Sequence, residues 1–347
     1  MRCAVILASA LSLAAQDSRF DVRSRLVLVP VTVTDAKGRL VDGLEASDFR
    51  VLDNGRAQKT VVDTISTGVA PIALVIAVQS SGISVAVLEK VRKIGVMIQP
   101  LITGERGCAA LVSFAERVTW LQDCTNDPEA LSRAFRQLQP GENKRARMLD
   151  AVHEAIGHLR RQPNARRVLL LISESRDRGS ESDLDVVTIA AQSMGVTVYA
   201  ATYSAFKAAF TSKSPVELPR PTKPPVPNDN METIDGAPPS KYNPKIPPPE
   251  QRVDVLAGIG ELARLDKTNT TRVLTGRTGG TTLPFTRQKG LEDAIEKLGA
   301  ELHTQYVLSF APEASAPGYH SLEVRVARRG EFRIRARPGY WSAEGSQ

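Results

Sequence analysis

Three stretches of the sequence hold residue types able to do chemistry. HEAIGH, from His153 to His158, supplies two of the four histidines and a glutamate, the materials of a helical zinc site. Its spacing is i, i+5, which separates the rings by about 140° around a helix instead of the about 40° of an i, i+4 pair. One zinc ion cannot reach both without breaking the helix. ESRDRGSESDLD, residues 174–185, carries Glu174, Asp177, Glu181, Asp183 and Asp185, enough carboxylates to raise the question of a calcium loop or a hydrolytic acid–base pair. Arg176 and Arg178 interleave these acids and the spacing fits no EF-hand; Ser182 or Asp183 ahead of a helical pattern reads instead as an N-terminal cap with acids in the first turn. The third stretch, PIALVIAVQSSGIS at 71–84, is an apolar run that delivers a polar loop with Gln79, Ser80 and Ser81 and no carboxylate. No G-x-S-x-G elbow, Walker loop or dinucleotide fingerprint accompanies them, so neither an enzyme nor a cofactor is expected.

The elements that must position these residues alternate between strand and helix from 71 to 301. Strands are predicted at 72–78, 108–114, 118–123, 167–173, 196–202 and 281–285, and helices at 84–99, 127–138, 147–161, 183–194, 252–277 and 288–301. RVLLLIS and VTVYAAT are near-continuous apolar runs, the mark of a parallel sheet covered on both faces, so this region reads as a doubly wound, mostly parallel α/β domain. It is interrupted over 207–250: residues 215–250 hold 12 of the 22 prolines, which neither a helix nor an interior strand tolerates. That insertion is either functionally inert or a proline-rich docking segment.

Short alternating runs flank the α/β region. Residues 20–68 form a small β unit, with Asp53-Asn54-Gly55 as a hairpin signal, and 302–342 hold three more strands. Neither set closes a sandwich alone, so the two are expected to pack together. In EFRIRARPGYW, Phe332, Ile334 and Ala336 share one face and Arg333, Arg335 and Arg337 the other. The arginine ladder is then the wet face of the sandwich or an anion-binding stripe.

The first 15 residues, MRCAVILASALSLAA, have the basic start, apolar run and small-residue end of a secretory signal peptide, and no other apolar stretch approaches the about 18 residues of a membrane span. An exported, periplasmic or secreted protein without a transmembrane segment is expected. Cys108 and Cys124 then lie on two strands of a hairpin centred on Glu116, directly opposite one another; they form a disulfide or remain two reduced, half-buried thiols. In 347 residues with 42% hydrophobic and 24% charged residues, the net charge of +7 is scattered, with clusters near Arg145 and over 325–337. That pattern is a solvated basic surface suited to acidic partners, not a nucleic-acid footprint.

The order of elements, with DGLEASDFRVLDNG, LLLISESRDRGS and AELHTQYVLSF, resembles a von Willebrand factor type A (VWA) domain protein, of the exported VWA-related type common in acidobacteria. The resemblance implies a loop Asp-x-Ser-x-Ser after the first strand of the sheet, a Thr at the start of a later helix and an Asp after the fourth strand, together holding Mg²⁺ or Mn²⁺ for a ligand's acid to complete. Carried onto this chain, those positions fall at Ala77, Gln79 and Ser81, near Ala146 between Arg145 and Arg147, and at Glu174 with Asp177 beyond it. A hard cation needs anionic oxygen ligands, so no metal is expected. Gln79, Ser80, Ser81, Arg147, Glu174 and Asp177 are left as a metal-free ligand cleft, or as a relic in which Arg147 and Glu174 neutralise each other. A non-catalytic protein–protein interaction module follows, the alternative being a metal-dependent adhesion domain that uses Ser81, Ser84, Glu174 and Asp177 as unconventional ligands.

Overall fold

Val27, Val29, Val31 and Val33 alternate with more exposed neighbours, and in the computed structural model, which describes residues 26–63, 70–81, 84–204, 269–312 and 317–342, they form the inward face of strand β1 (Val27–Asp35). Strands β2 (Phe49–Asp53) and β3 (Arg56–Gln58) follow, joined by Asn54 and Gly55 at φ +48° and +79°, the tight hairpin turn that the Asn-Gly pair favours. Strand β4 (Val61–Asp63) ends this N-terminal unit.

The α/β region opens with β5 (Ile72–Gln79), every residue of which is buried. A single helix was expected at 84–99, but the segment breaks into α1 (Val85–Val91), α2 (Gly95–Ile98) and a π turn at Gln99–Thr103. The cause is local: a Cβ at Gly95 would lie 2.9 Å from the Phe135 ring, so this position needs the small, weakly helical residue, and Pro100 withholds an N–H from the helical ladder. The chain continues through β6 (Cys108–Phe114), β7 (Val118–Thr125), α3 (Pro128–Arg136), α4 (Met148–Arg160), β8 (Arg166–Ser173), α5 (Leu184–Ser193) and β9 (Thr197–Thr202). After residues outside the described set come α6 (Thr270–Thr278), β10 (Thr282–Pro284) and α7 (Gln288–Thr304). The 207–250 insertion, the 1–15 leader and the 252–268 part of the expected helix lie outside the described residues.

The large sheet has the order β10-β9-β8-β5-β6-β7, parallel except for β7 at one edge. Alternation along β5 sorts its side chains into two layers. Ile72, Leu74, Ile76 and Val78 pack with α1, α2, α3 and α7; Ala73, Val75 and Ala77 pack with α4, α5 and α6. The sheet is thus doubly wound, and Ala77 is fully buried in the second layer.

Strands β11 (Tyr306–Phe310), β12 (Gly318–Val326), β13 (Phe332–Arg335) and β14 (Gly339–Ser342) return to the N-terminal strands. They build two four-stranded sheets, β13-β1-β11-β4 and β14-β12-β2-β3, around Val29, Val31, Val51, Leu308 and Phe310. The small sandwich therefore takes strands from both chain ends.

Two expectations need correction. The hairpin of β6 and β7 keeps its predicted register near the turn, Phe114 opposite Val118 and Val112 opposite Trp120, but two irregularities shift it so that Ala109 faces Thr125. Cys108 and Cys124 are therefore not directly opposed; the bulged strand still brings their Cα atoms to 5.3 Å, and the disulfide forms. The arginine ladder is a wet face only at Arg333. Arg337 is buried, donating from Nη1 to the Gln192 carbonyl of α5 and from Nη2 to that of Leu28, while Arg335 donates to the Gly279 carbonyl and to Glu301. At Arg335 and Arg337 that face meets the α/β half instead of water, while Arg333 stays exposed. Gly279, at φ +85°, permits the approach, since a Cβ there would lie 2.7 Å from the Arg337 nitrogen.

Candidate functional site

The loops after β5 and β8, the residue following β9 and the start of α4 converge at the carboxyl end of the parallel sheet, where open α/β sheets present ligand sites. Gln79 organises the centre. Its Oε1 accepts the Glu174 N–H at 2.9 Å and its Nε2 donates to Ser81 Oγ at 2.9 Å. Ser81 Oγ lies 3.3 Å from Ser84 Oγ, which lies 2.7 Å from the Tyr203 hydroxyl. Gln79, Ser80, Ser81, Ser84 and Tyr203 are all buried. A carboxamide suits this position because it offers a donor and an acceptor without charge, so the loop satisfies its buried polar atoms with no counter-ion. Burial pushes the Tyr203 hydroxyl upward, keeping its proton in place.

Around this centre the charged residues are committed. Ala146 and Arg178 exchange both backbone hydrogen bonds, at 3.0 and 2.9 Å, tying the approach to α4 against the loop after β8. Arg178 Nη2 reaches Glu174 Oε2 at 3.2 Å. Arg147 pairs instead with Asp150 and Glu181, each at 2.6 Å, so the expected mutual neutralisation of Arg147 and Glu174 is replaced by two separate pairings. Asp177 Oδ1 accepts from Leu149 N–H and Ser180 Oγ, and Oδ2 from Gly179 and Ser180 N–H, which holds the loop onto the first turn of α4. Asp150 does the converse, accepting from the Glu181 and Ser182 N–H groups. Burial alone would raise the Asp150 carboxyl, but hydrogen bonds from Ser182, Glu181 and Arg147 outweigh it and hold the group below the usual carboxylate range.

The structure thus brings the six sequence-predicted residues to one end of the sheet but divides them. Gln79, Ser80 and Ser81 are interior and Asp177 serves the loop, so these four present no open ligand surface. Arg147, Glu174 and Arg178 are partly exposed, beside the exposed Lys144 and Arg145. Sequence reasoning missed Tyr203, Asp150 and Ser180. The signals were a tyrosine directly after a parallel strand and an acid in the first turn of α4. Asp183 caps α5 as expected, accepting from Asp185 and Val186 N–H. His153 is exposed while His158 is buried and stacked on Trp120 at 4.5 Å between ring centres, so the two share nothing.

A doubly wound sheet with one antiparallel edge strand, entered through β5 and closing its loops around the start of α4, is the arrangement the resemblance implies. The α/β half has this strand order and these two helix layers. No protein-family model matches the chain, and no curated protein matches it. Among solved structures, it is similar to a von Willebrand factor type A protein from Catenulispora acidiphila, at 10% identity over 94% of this chain and 76% of that one, with a TM-score of 0.44. It is also similar to the conserved hypothetical protein BatB from Bacteroides thetaiotaomicron, at 14% identity over 67% of this chain and 98% of that one, TM-score 0.41. A third is the vWF domain of the type V pili tip protein Mfa5 from Porphyromonas gingivalis, at 19% identity; the match covers 31% of this chain and 39% of that one, TM-score 0.29.

The Mg²⁺ or Mn²⁺ that the VWA resemblance implies does not fit these residues. Ala77 offers no oxygen, Gln79 spends both ends of its amide inside the protein, and Glu174 is matched by Arg178. Asp177 accepts four hydrogen bonds, and among the described residues no three of His, Cys, Asp and Glu gather as ligands. A divalent cation here would face guanidinium groups without the anionic oxygens that offset its dehydration.

Proposed function

We propose that the chain is an exported, non-catalytic VWA-type interaction module that engages an acidic protein partner directly, with no metal ion bridging the two. The observation carrying this reading is the hydrogen-bonded path from Glu174 N–H through Gln79, Ser81 and Ser84 to Tyr203, which occupies the centre of the site with neutral groups. Cations face outward beside it: Lys144 and Arg145 are exposed, and Arg147 and Arg178 partly so, with Arg145 near Glu116, Arg147 paired with Asp150 and Glu181, and Arg178 with Glu174, so a partner carboxylate competes with these acids for the guanidinium groups. A partner carboxylate meets guanidinium groups there through charge-assisted hydrogen bonds, a geometry in which lysine and arginine are not equivalent. Export is supported by the leader-like sequence of residues 1–15 and by the Cys108–Cys124 disulfide, a bond that persists in oxidising compartments. Among the described residues no helix is long and apolar enough to cross a membrane.

The test is capture of partners from envelope extract by the immobilised chain, with EDTA or with added Mg²⁺, and with Arg147→Glu. Proteins retained in EDTA and lost with Arg147→Glu support the reading. Binding that requires Mg²⁺ or Mn²⁺, or a melting temperature raised by either ion, refutes it.

A further inference from the structure

The second reading of the arginine ladder, an anion-binding stripe, gains a physical setting at the seam between the two halves. A cavity of about 600 Å³ opens there, within the range of ~300–1,000 Å³ typical of small-molecule sites. Its walls come from four elements: Gly38 and Leu40 after β1, Arg333 and Arg335 on β13, Leu283 on β10, and Lys297, Ala300 and Glu301 on α7. We propose that this cavity binds a small organic carboxylate with an apolar body.

The charge pattern carries the proposal. The pairing of β1 with β13 sets Thr32 opposite Arg335 and Thr34 opposite Arg333, which puts two hydroxyls and two guanidinium groups on one face. Glu301, the one acid lining the cavity, is buried and already served: Oε1 accepts from Thr32 Oγ1 at 3.2 Å and Tyr199 OH at 2.7 Å, and Oε2 from Arg335 Nη2 at 2.5 Å. Arg335 and Glu301 therefore cancel. Arg333 and Lys297 remain, both exposed at the rim, and neither has a carboxylate partner among the described residues. Two uncompensated cations in a cavity also lined by Leu40, Leu283 and Ala300 match a ligand with an anionic head and an apolar body. The cavity lies at the seam, away from the carboxyl end of the sheet, so its occupancy does not depend on the interaction face described above.

The experiment is calorimetric titration of the full chain with sodium octanoate, sodium acetate and octanol. Octanoate is expected to bind, with acetate and octanol each weaker because one lacks the apolar body and the other the charge. The double variant Lys297→Glu/Arg333→Glu should weaken octanoate about tenfold or more, the loss expected for a charge-assisted hydrogen bond. Lys59→Glu/Arg160→Glu, with the same charge change at exposed positions elsewhere, should leave it unchanged. All four sites are solvent-exposed, and an unaltered melting temperature confirms that each variant folds. No octanoate binding, equal binding of the three probes, or equal weakening by both double variants overturns the proposal.

Discussion

Asp150 shows how far a single side chain in this protein is bound by its surroundings. It receives Arg147 Nε and two backbone N–H groups from the loop after β8. Because its carboxyl is held below the ordinary range in the folded protein, the unfolded chain takes up a proton first as the medium is acidified. The stability that Asp150 contributes is therefore complete above its unfolded pKa and disappears as pH falls through the folded value. Asp150→Asn should lower the urea midpoint at about pH 7 and flatten its decline toward about pH 3; an unchanged acid limb would exclude this residue as a source of acid sensitivity. The missing acid of the β5 loop was plain in the sequence, since Ala77, Gln79 and Ser81 are read directly from its letters. What replaced it was not, because the partner of Gln79 is the backbone of Glu174 in a distant loop, and nothing in local spacing encodes that meeting.

Among the elements, the β6–β7 hairpin carries the clearest energetic test. Its disulfide closes a short loop between an inner strand and the edge strand of the large sheet. Cys108→Ser/Cys124→Ser should cost about 3 kcal/mol, seen as a lower melting temperature under oxidising conditions and no difference from the parent under reducing ones. Apart from the helices expected at 84–99 and 252–277, the latter observed as Thr270–Thr278 behind an Asn269 cap, the strands and helices of the α/β half were legible from their periodicity, with ends within a few residues of those observed, because long apolar runs and capped amphipathic helices state their own identity. The broken helix after β5 was less so. Its apolar pattern continues through 84–99, and the interruption follows from the closeness of Gly95 to Phe135, a tertiary contact.

For the whole molecule, the seam decides whether the two halves behave as one. Glu301 joins β1, β9 and β13 through Thr32, Tyr199 and Arg335, and Gln305 adds bonds to Thr32 and Tyr199 while accepting from Arg166. Alternation in the sequence showed that Arg333, Arg335 and Arg337 share a face, but not that another half of the protein lies against it; that is a property of the assembled chain. Glu301→Ala leaves Arg335 without its carboxylate and two hydroxyls without their acceptor, at a cost of about 3 kcal/mol. A single urea transition in the parent should move to lower denaturant and separate into two in the variant; one unshifted transition would show that the halves are held by other contacts. The strand order has a further result for biosynthesis. Strand β1 is flanked on both sides by β11 and β13, and β2 bonds with β12, so the N-terminal strands have no long neighbours until residues 306–342 have been made. A ribosome-bound chain can complete its α/β half while β1 and β2 still expose open ladders to other polypeptides, and a stop codon placed before β11 would leave those ladders open for good.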